Sequence, residues 1–114
     1  MPSEKTYENK IKKYLESKEC YFVKYFANRM TKVGVPDILA CVNGHFLGIE
    51  VKAENGRPSD LQIHNVKKIH DAGGFAVIVK PSQWSLLKDL IDYLLADSIV
   101  VSQGIQDEIN NKFF

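Results

Sequence analysis

The dipeptide Asn43-Gly44, set between two apolar runs, constrains the fold of this chain more than any other feature. Both central residues of a type I′ turn need a positive φ, which asparagine and glycine adopt most readily, so this pattern predicts a tight β-hairpin. Because a two-residue turn also fixes the register, Asp37 is predicted to lie opposite Glu50. Directly opposed residues share one face of a sheet, with Cβ atoms roughly 5 Å apart. The hairpin therefore predicts two carboxylates side by side.

A cation would relieve the repulsion between these two carboxylates, which is destabilising if nothing neutralises it. Mg²⁺ and Mn²⁺ suit this position because both prefer oxygen ligands. Lys52 lies two residues beyond Glu50 and hence on the same face, about 7 Å further along the strand. A lysine beside a metal can orient a water or stabilise charge on a phosphate. Asp37, Glu50 and Lys52 are therefore candidates for a metal-dependent site; the alternative is a surface hairpin whose charges face solvent.

Both faces of the hairpin are largely apolar, which argues against that alternative. One face carries Ile38, Ala40, Leu47, Ile49 and Val51, and the other carries Leu39, Cys41, Phe46 and Gly48. A strand that is apolar on both sides belongs inside a sheet that is covered on both faces. Charges on a covered face are costly unless they are paired or bound to a metal. The pattern therefore favours a functional role for the charged residues.

The N-terminal segment predicts a helix over residues 4–18, with Ser3 as its N-cap. Its apolar residues recur at helical spacing: Tyr7, Ile11, Tyr14 and Leu15. Glu8 flanks this apolar face, and Glu4 lies one turn earlier on the same flank. From spacing alone, Glu8 is expected to be an exposed acid that pairs with Lys12 at i+4.

Two further stretches predict strands. Residues 20–26 are aromatic and β-branched, which is typical of a strand, and residues 75–79 form a short apolar run typical of a buried strand. Residues 27–35 are predicted to form a loop that leads from the first strand into the hairpin.

Ser59 and Gln62 have the spacing of a capping box, so a helix is predicted from there to about Ala72, with Gly73 as its C-cap. The capping box alone explains Gln62. The helix also begins within a few residues of Lys52, however, and helix N-termini attract anions such as phosphate. A role for Gln62 at the site is therefore the second interpretation.

The C-terminal third has weaker patterns. Ser82 is predicted to cap a helix over residues 83–96. Residues 98–101 are predicted to form an extended segment, and residues 105–112 a short polar helix. The apolar residues near the terminus are expected to pack on the core or on a second subunit.

Length and composition limit the class of protein. The chain has 114 residues and is expected to form one domain, residues 1–114, with a core at about 4–81 and a C-terminal helix and tail at 82–114. Its net charge of +1 does not by itself indicate nucleic acid. No apolar run approaches the ~20 residues of a membrane span. Two cysteines are too few for a disulfide framework, so we expect a cytoplasmic protein with reduced thiols. We also expect no nucleotide cofactor.

The predicted order α-β-β-β-α-β-α is an α/β fold with a mixed central sheet, in which an antiparallel meander and a crossover strand are flanked by helices. Pro36-Asp37 followed by Glu50-Val51-Lys52 resembles the PD-(D/E)XK motif of metal-dependent nucleases, which share a restriction-endonuclease-like core. With the motif, other residues resemble the virus-type replication-repair nuclease (VRR-NUC) domain over about residues 8–81: Gly34, Val35, Gly56, Ser59, Gln62, Gly73 and Gly74.

The resemblance implies roles for individual residues. One or two Mg²⁺ or Mn²⁺ ions would be held by Glu8, Asp37, Glu50 and the Val51 carbonyl, with Glu4 as the second choice for the helix acid. Lys52 would orient or activate the attacking water, and Gln62 would support Lys52 or that water. Contacts with DNA phosphates are expected from Lys24, Arg29, Lys32 and Ser59; a solvated loop is the alternative for Arg29 and Lys32.

The resemblance also implies a substrate. Stand-alone members, mainly from phages and bacteria, are similar to homodimeric nucleases that cut branched DNA such as Holliday junctions, and we predict that activity. The alternatives are a nuclease for flaps, splayed arms or duplex DNA in the manner of a restriction enzyme, a DNA-binding module without catalysis, and a small metal-binding protein unrelated to nucleic acid. The presence of Asp37, Glu50 and Lys52 together argues against the silent module.

Overall fold

The computed structural model describes residues 3–28 and 30–113. In chain order the elements are α1 Glu4–Ser17, β1 Tyr21–Lys24, β2 Ile38–Val42, β3 His45–Val51, α2 Asp60–Asp71, β4 Phe75–Val79, a 3₁₀ turn Pro81–Gln83, α3 Trp84–Leu95 and α4 Ile99–Asn110. Within these residues, no helix combines the length and the apolar character that crossing a bilayer requires.

The four strands form one mixed sheet in the order β1-β2-β3-β4. β1 pairs with β2 and β2 with β3 in antiparallel fashion, and β4 pairs with β3 in parallel. The hairpin register is the predicted one, with Ile38 opposite Ile49 and Val42 opposite His45. Asn43 and Gly44 both have positive φ, at 50° and 81°. The predicted fold class, a meander extended by a parallel strand and flanked by helices, is confirmed.

Helices lie on both faces of the sheet, but α2 leaves part of its face uncovered, where Tyr21 and Phe46 are exposed. The predicted cover of both hairpin faces is therefore wrong at that end of the hairpin. On one face the main core joins buried side chains of α1, α3 and α4 to β2, β3 and β4. On the other face a smaller cluster joins α2 and the end of the chain to β4 through Val66, Ala76 and Ile78. Ile11 and Leu15 of α1 are fully buried, and burial stabilises each such side chain by roughly 1.5–3 kcal/mol. The carboxyl ends of β3 and β4 are thereby fixed against α1 and α2.

The predicted N-caps agree with the structure at α1 and α2 and differ at α3, and the C-cap of α2 is Ala72 instead of the predicted Gly73. The Ser3 side chain accepts a hydrogen bond from the Thr6 N–H, and the capping box at the start of α2 is complete. α2 has Ala72 as its C-cap, and Gly73 follows with φ 91°. Ser82 is not the N-cap of α3, because the 3₁₀ turn precedes that helix and Ser82 binds the carboxylate of Glu54 instead.

α4 differs from the sequence prediction more than any other element described. Residues 98–101 are not extended, and the helix does not begin at residue 105; one helix spans Ile99–Asn110. The β-branched run at 99–101 favours a strand locally, but packing overrides that preference. Ile109 is fully buried in the main core, which holds this segment as a helix against α3 and β4.

α4 also closes the outer edge of the sheet. The Ala76 N–H donates to Gln106 Oε1 at 2.9 Å, and the Ile78 N–H donates to Asn110 Oδ1 at 3.0 Å. The Asn110 amide returns a hydrogen bond to the Ala76 carbonyl at 2.9 Å. An edge strand with unpaired backbone groups invites pairing with other chains, and these two amide side chains occupy those groups on β4.

Candidate active site

Five of the predicted site residues come together at one end of the sheet. Asp37 immediately precedes β2, Glu50 lies in β3, and Lys52 follows β3 directly. Gln62 lies in the first turn of α2, and Glu8 lies in α1. The pairing of β2 with β3 positions Asp37 and Glu50, and the capped N-terminus of α2 positions Gln62.

The two carboxylates of the hairpin have different supports. Asp37 Oδ2 accepts a hydrogen bond from the Val51 N–H at 2.9 Å, which orients the carboxylate. Glu50 is only 2% exposed, and its Oε1 has no hydrogen-bond partner among the described residues. Burial first, and the nearby Asp37 second, raise the pKa of Glu50 to about 8. Burial and Asp37 therefore outweigh the positive charge of Lys52, and the charged form of Glu50 is only partly compensated within the protein.

These features fit a divalent cation. A buried carboxylate oxygen without a partner, close to a second carboxylate, is costly unless a cation neutralises the pair. Among the described residues, no three His, Cys, Asp or Glu side chains are arranged to hold a metal. Two carboxylates completed by a backbone carbonyl and waters are a common donor set for Mg²⁺. The Val51 carbonyl, next to Glu50, is the predicted third donor.

Gln62 serves the helix cap and the site with the same amide. Its Oε1 accepts the Ser59 N–H at 2.9 Å, and its Nε2 donates to Glu50 Oε2 at 3.1 Å. Because the cap takes the oxygen, the nitrogen must face the carboxylate. Lys52 Nζ lies 3.8 Å from the same Oε2 atom. The same amide therefore makes the cap bond that the structural interpretation requires and the contact with Glu50 on which the functional interpretation depends.

Glu8 is buried and already paired with two lysines. It is 6% exposed; Lys24 Nζ lies 2.7 Å from Oε1 and Lys12 Nζ lies 2.9 Å from Oε2. Burial alone would raise the pKa of Glu8, but hydrogen bonds from Lys24 and Lys12 outweigh it and lower that pKa. The i,i+4 pair with Lys12 is present as predicted, whereas the predicted exposure is wrong. Lys24 also lies 3.5 Å from Asp37 Oδ1 and so connects both acids.

A comparison with protein families decides what this cluster belongs to. Residues 3–89 match the model of the family described as archaeal Holliday junction resolvase, Hjc. The chain belongs to the Hjc family. A comparison with curated proteins gives no match. The match covers the whole acid and lysine cluster and ends within α3.

Membership in Hjc confirms several predictions. Hjc is a PD-(D/E)XK-like nuclease family, so the predicted superfamily and the endonuclease class are confirmed. The chain is a Holliday-junction-resolvase-like, structure-selective nuclease, and branched DNA is the substrate that the family implies. The match is to Hjc and not to VRR-NUC, so it does not carry that finer assignment.

Of the other predicted residues, Ser59, Lys32 and Glu4 lie in the described part of the chain. Ser59 is exposed at the N-terminus of α2. Lys32 has an exposed side chain, and its carbonyl accepts the Tyr25 hydroxyl at 2.6 Å. Glu4 Oε2 accepts a hydrogen bond from the Ala53 N–H at 3.3 Å, just beyond Lys52. Arg29 lies outside the described residues.

Two residues that the sequence did not single out for this purpose, Asn65 and Gly34, hold the loop before Asp37 against α2. Asn65 of α2 is 6% exposed and donates to the Leu61 carbonyl at 2.9 Å and to the Val33 carbonyl at 3.5 Å. Gly34 has φ 83°, and a Cβ there would lie 2.8 Å from Asn65 Nδ2. Only glycine fits this close approach at positive φ. A buried asparagine on a helix with an otherwise apolar face was the available signal.

Proposed function

We propose that this Hjc-family chain cleaves branched DNA by hydrolysis that depends on a divalent cation at Asp37 and Glu50. The observation that carries the proposal is the buried Glu50 Oε1, which has no partner among the described residues and lies in a carboxylate pair beside Lys52. Such a pair is stable in its charged form only with a cation.

Each residue of the cluster has a role in this proposal. Asp37, Glu50 and the Val51 carbonyl would hold Mg²⁺ or Mn²⁺, and the cation would supply polarisation of the phosphoryl oxygen and stabilisation of the leaving oxygen. Lys52, 3.8 Å from Glu50, orients the attacking water. Gln62 holds Glu50 in position through its amide.

Glu8 assists the site through its lysine partners. Both of its oxygens face ammonium groups, so direct ligation would require it to release Lys24 or Lys12. We therefore assign Glu8 to holding Lys24 between the two acids, where the ammonium faces both α1 and Asp37. The donor set is compatible with one or two cations.

A cleavage assay tests the proposal. Purified protein is incubated with a labelled four-way junction, a splayed arm, a flap and a linear duplex of matched sequence, each with Mg²⁺, Mn²⁺ or EDTA. We expect cation-dependent cutting of the junction that Asp37→Asn and Lys52→Met abolish, with Lys68→Gln as a control on an exposed lysine at the far end of α2. Cutting in EDTA, or cutting by both variants, would contradict the proposal. Preference for flaps or duplex would keep the chemistry and change the substrate.

The proposal includes a homodimer. An uncovered apolar strip on the α2 side of β1, β2 and β3 carries Tyr21 at 75%, Val23 at 43% and Phe46 at 45% exposure. Exposed apolar patches mark interaction surfaces. A second copy suits this strip because a two-fold dimer presents two active sites to a two-fold junction.

Sedimentation separates dimer from monomer. We expect Phe46→Glu to shift the protein from dimer to monomer, whereas Tyr93→Glu, on an equally exposed aromatic of α3, leaves the mass unchanged. A monomeric wild type, or an unaffected Phe46→Glu variant, would contradict the proposed interface.

Three further assignments rest on the same proposal. Placement in the VRR-NUC group is supported by Gly34 to Asp37 and by Gly73-Gly74 before β4. A cytoplasmic location is supported by two cysteines that are both free thiols. Organisation as one domain over residues 1–114 is supported by a core that joins α1 to α4.

A further inference from the structure

A second group of cations lies beside the acid cluster, at the end of the neighbouring strand. Val51 pairs with Val79 in the parallel register, and the Lys52 N–H donates to the Val79 carbonyl at 2.9 Å. Lys80 therefore follows β4 at the level where Lys52 follows β3, about 4.8 Å away across the strands. The edge of the sheet that carries the site thus continues onto β4.

This edge opens into a cavity of about 350 Å³ with a basic lining. Its lining residues are Glu54, Asn55, Arg57, Lys80, Lys112 and Phe113. Since a water molecule takes about 30 Å³ in the liquid, the cavity is large enough for a phosphate group with part of its sugar. Three cationic side chains face one carboxylate there.

The single carboxylate does not saturate these cations. Both oxygens of Glu54 accept hydrogen bonds from Ser82, at 2.9 Å from its N–H and 2.7 Å from its hydroxyl. These bonds, and more weakly the positive charges of Lys80 and Lys112, lower the pKa of Glu54. Arg57, Lys80 and Lys112 form no ion pair within 4.0 Å among residues 3–28 and 30–113. The cavity has an excess of positive charge.

α4 holds Lys112 at this place. Asn110 makes two hydrogen bonds to the outer edge of β4, and the Ile109 carbonyl accepts the Gln83 amide at 3.1 Å. Phe113, on the other side of Lys112, packs against the small core under α2. Lys112 therefore lies between two anchored residues. α4 lies beyond residues 3–89, so the family match does not account for it.

We infer that Arg57, Lys80 and Lys112 form a second site for DNA backbone phosphates, next to the cleavage site, and that the turn after α4, which carries Lys112, is part of the DNA-binding surface. This inference rests on the proposed nuclease function. In this inference, DNA with a phosphodiester at Lys52 continues along the same edge of the sheet. There its backbone meets Arg57, Lys80 and Lys112, which form no ion pair among the described residues. The contact is with phosphates and so carries no sequence preference.

Salt dependence of DNA binding tests the inference. Binding of a labelled four-way junction in EDTA is measured by anisotropy from 50 to 300 mM salt for wild type, Lys112→Gln, the triple variant Arg57→Gln/Lys80→Gln/Lys112→Gln, and the control Lys68→Gln. Each lost phosphate contact makes the slope of log K against log salt less negative by about 0.9. We expect a change of about 1 for Lys112→Gln, between 2 and 3 for the triple variant, and none for the control or for Lys112→Arg.

The outcomes separate this inference from the function on which it rests. If wild type binds the junction and the triple variant keeps the wild-type slope, the second phosphate site is wrong and the nuclease proposal stands. If wild type binds no DNA, the proposed function fails as well. Single-turnover cleavage at subsaturating protein should be slower in the triple variant, because less junction is bound, and unchanged in Lys68→Gln. A wild-type rate in the triple variant under these conditions would also contradict the second phosphate site.

Discussion

Glu50 and Glu8 are two nearly buried glutamates on either side of Asp37, and their environments are opposite. Glu8 is held by two lysines at 2.7 and 2.9 Å, and these lower its pKa. Glu50 has only a glutamine amide at 3.1 Å and a lysine at 3.8 Å, so burial and Asp37 raise its pKa to about 8. The protein pairs Glu8 closely with two lysines, whereas it compensates the charge of Glu50 only in part. The comparison identifies Glu50 as the acid that needs a cation.

Substitution of Glu50 has the largest expected effect on cleavage. Glu50→Gln should lower junction cleavage at least about 10³-fold, since the cation supplies several kcal/mol of transition-state stabilisation. Without metal at pH 8, the same variant should be more stable than wild type, because it removes a buried charge. Cleavage rates and thermal unfolding check the two effects. Loss of stability together with loss of cleavage would contradict the account.

Gln62 should show an intermediate effect. Gln62→Ala removes the amide that holds Glu50, and loss of such a supporting group typically costs 10–100-fold in activity or metal affinity. Ser59→Ala is the matched control, because it removes the hydroxyl cap of α2, about 1 kcal/mol, and keeps the amide on Glu50. Equal loss of activity in both variants would show that Gln62 acts only through the helix.

Substitution of Glu8 should lower the free energy of unfolding more than it lowers the cleavage rate. Glu8→Gln removes the carboxylate that pairs with Lys12 and the nearer of the two carboxylates of Lys24. Because both lysine side chains are less than a quarter exposed, we expect about 1–3 kcal/mol of destabilisation. Cleavage should fall by less than tenfold. Denaturant unfolding and single-turnover kinetics measure the two effects. If Glu8 were a metal ligand, the Glu8→Gln variant would instead be stable but inactive.

The stability of the metal-free protein should fall as pH rises. The folded pKa of Glu50, about 8, lies above its ordinary value of 4.5, so the folded state binds more protons than the unfolded state between these values. Stability from this group is complete below pH 4.5 and is lost towards pH 8. We expect the Tm to fall by about 4 °C or more from pH 5 to pH 8 relative to Glu50→Gln. Mn²⁺ should restore more stability at pH 8 than at pH 6, because the cation displaces the proton.

The sequence predicted correctly those features that depend on residues close together in the chain. The Asn43-Gly44 turn fixed the register, and with it the approach of Asp37 to Glu50. The capping box placed Gln62 correctly because both of its partners lie within one helical turn. These features depend on residues close in sequence.

The predictions that were wrong concern contacts between segments that are distant in the sequence. The burial of Glu8 follows from α1 lying against β1, and the position of Lys24 between two acids follows from the same contact. α4 forms a helix because its amides meet the edge of β4, some thirty residues earlier in the chain. Spacing within one segment carries no information on either contact.

Calorimetric titration with Mn²⁺ at pH 8 tests the central claim most directly. Wild type, Glu50→Gln and Glu8→Gln are compared in the absence of DNA. The account predicts that Glu50→Gln binds the cation at least tenfold more weakly than wild type, whereas Glu8→Gln binds it about as tightly as wild type. Equal weakening in both variants would show that Glu8 is a metal ligand, and unchanged binding in Glu50→Gln would contradict the assignment of the site.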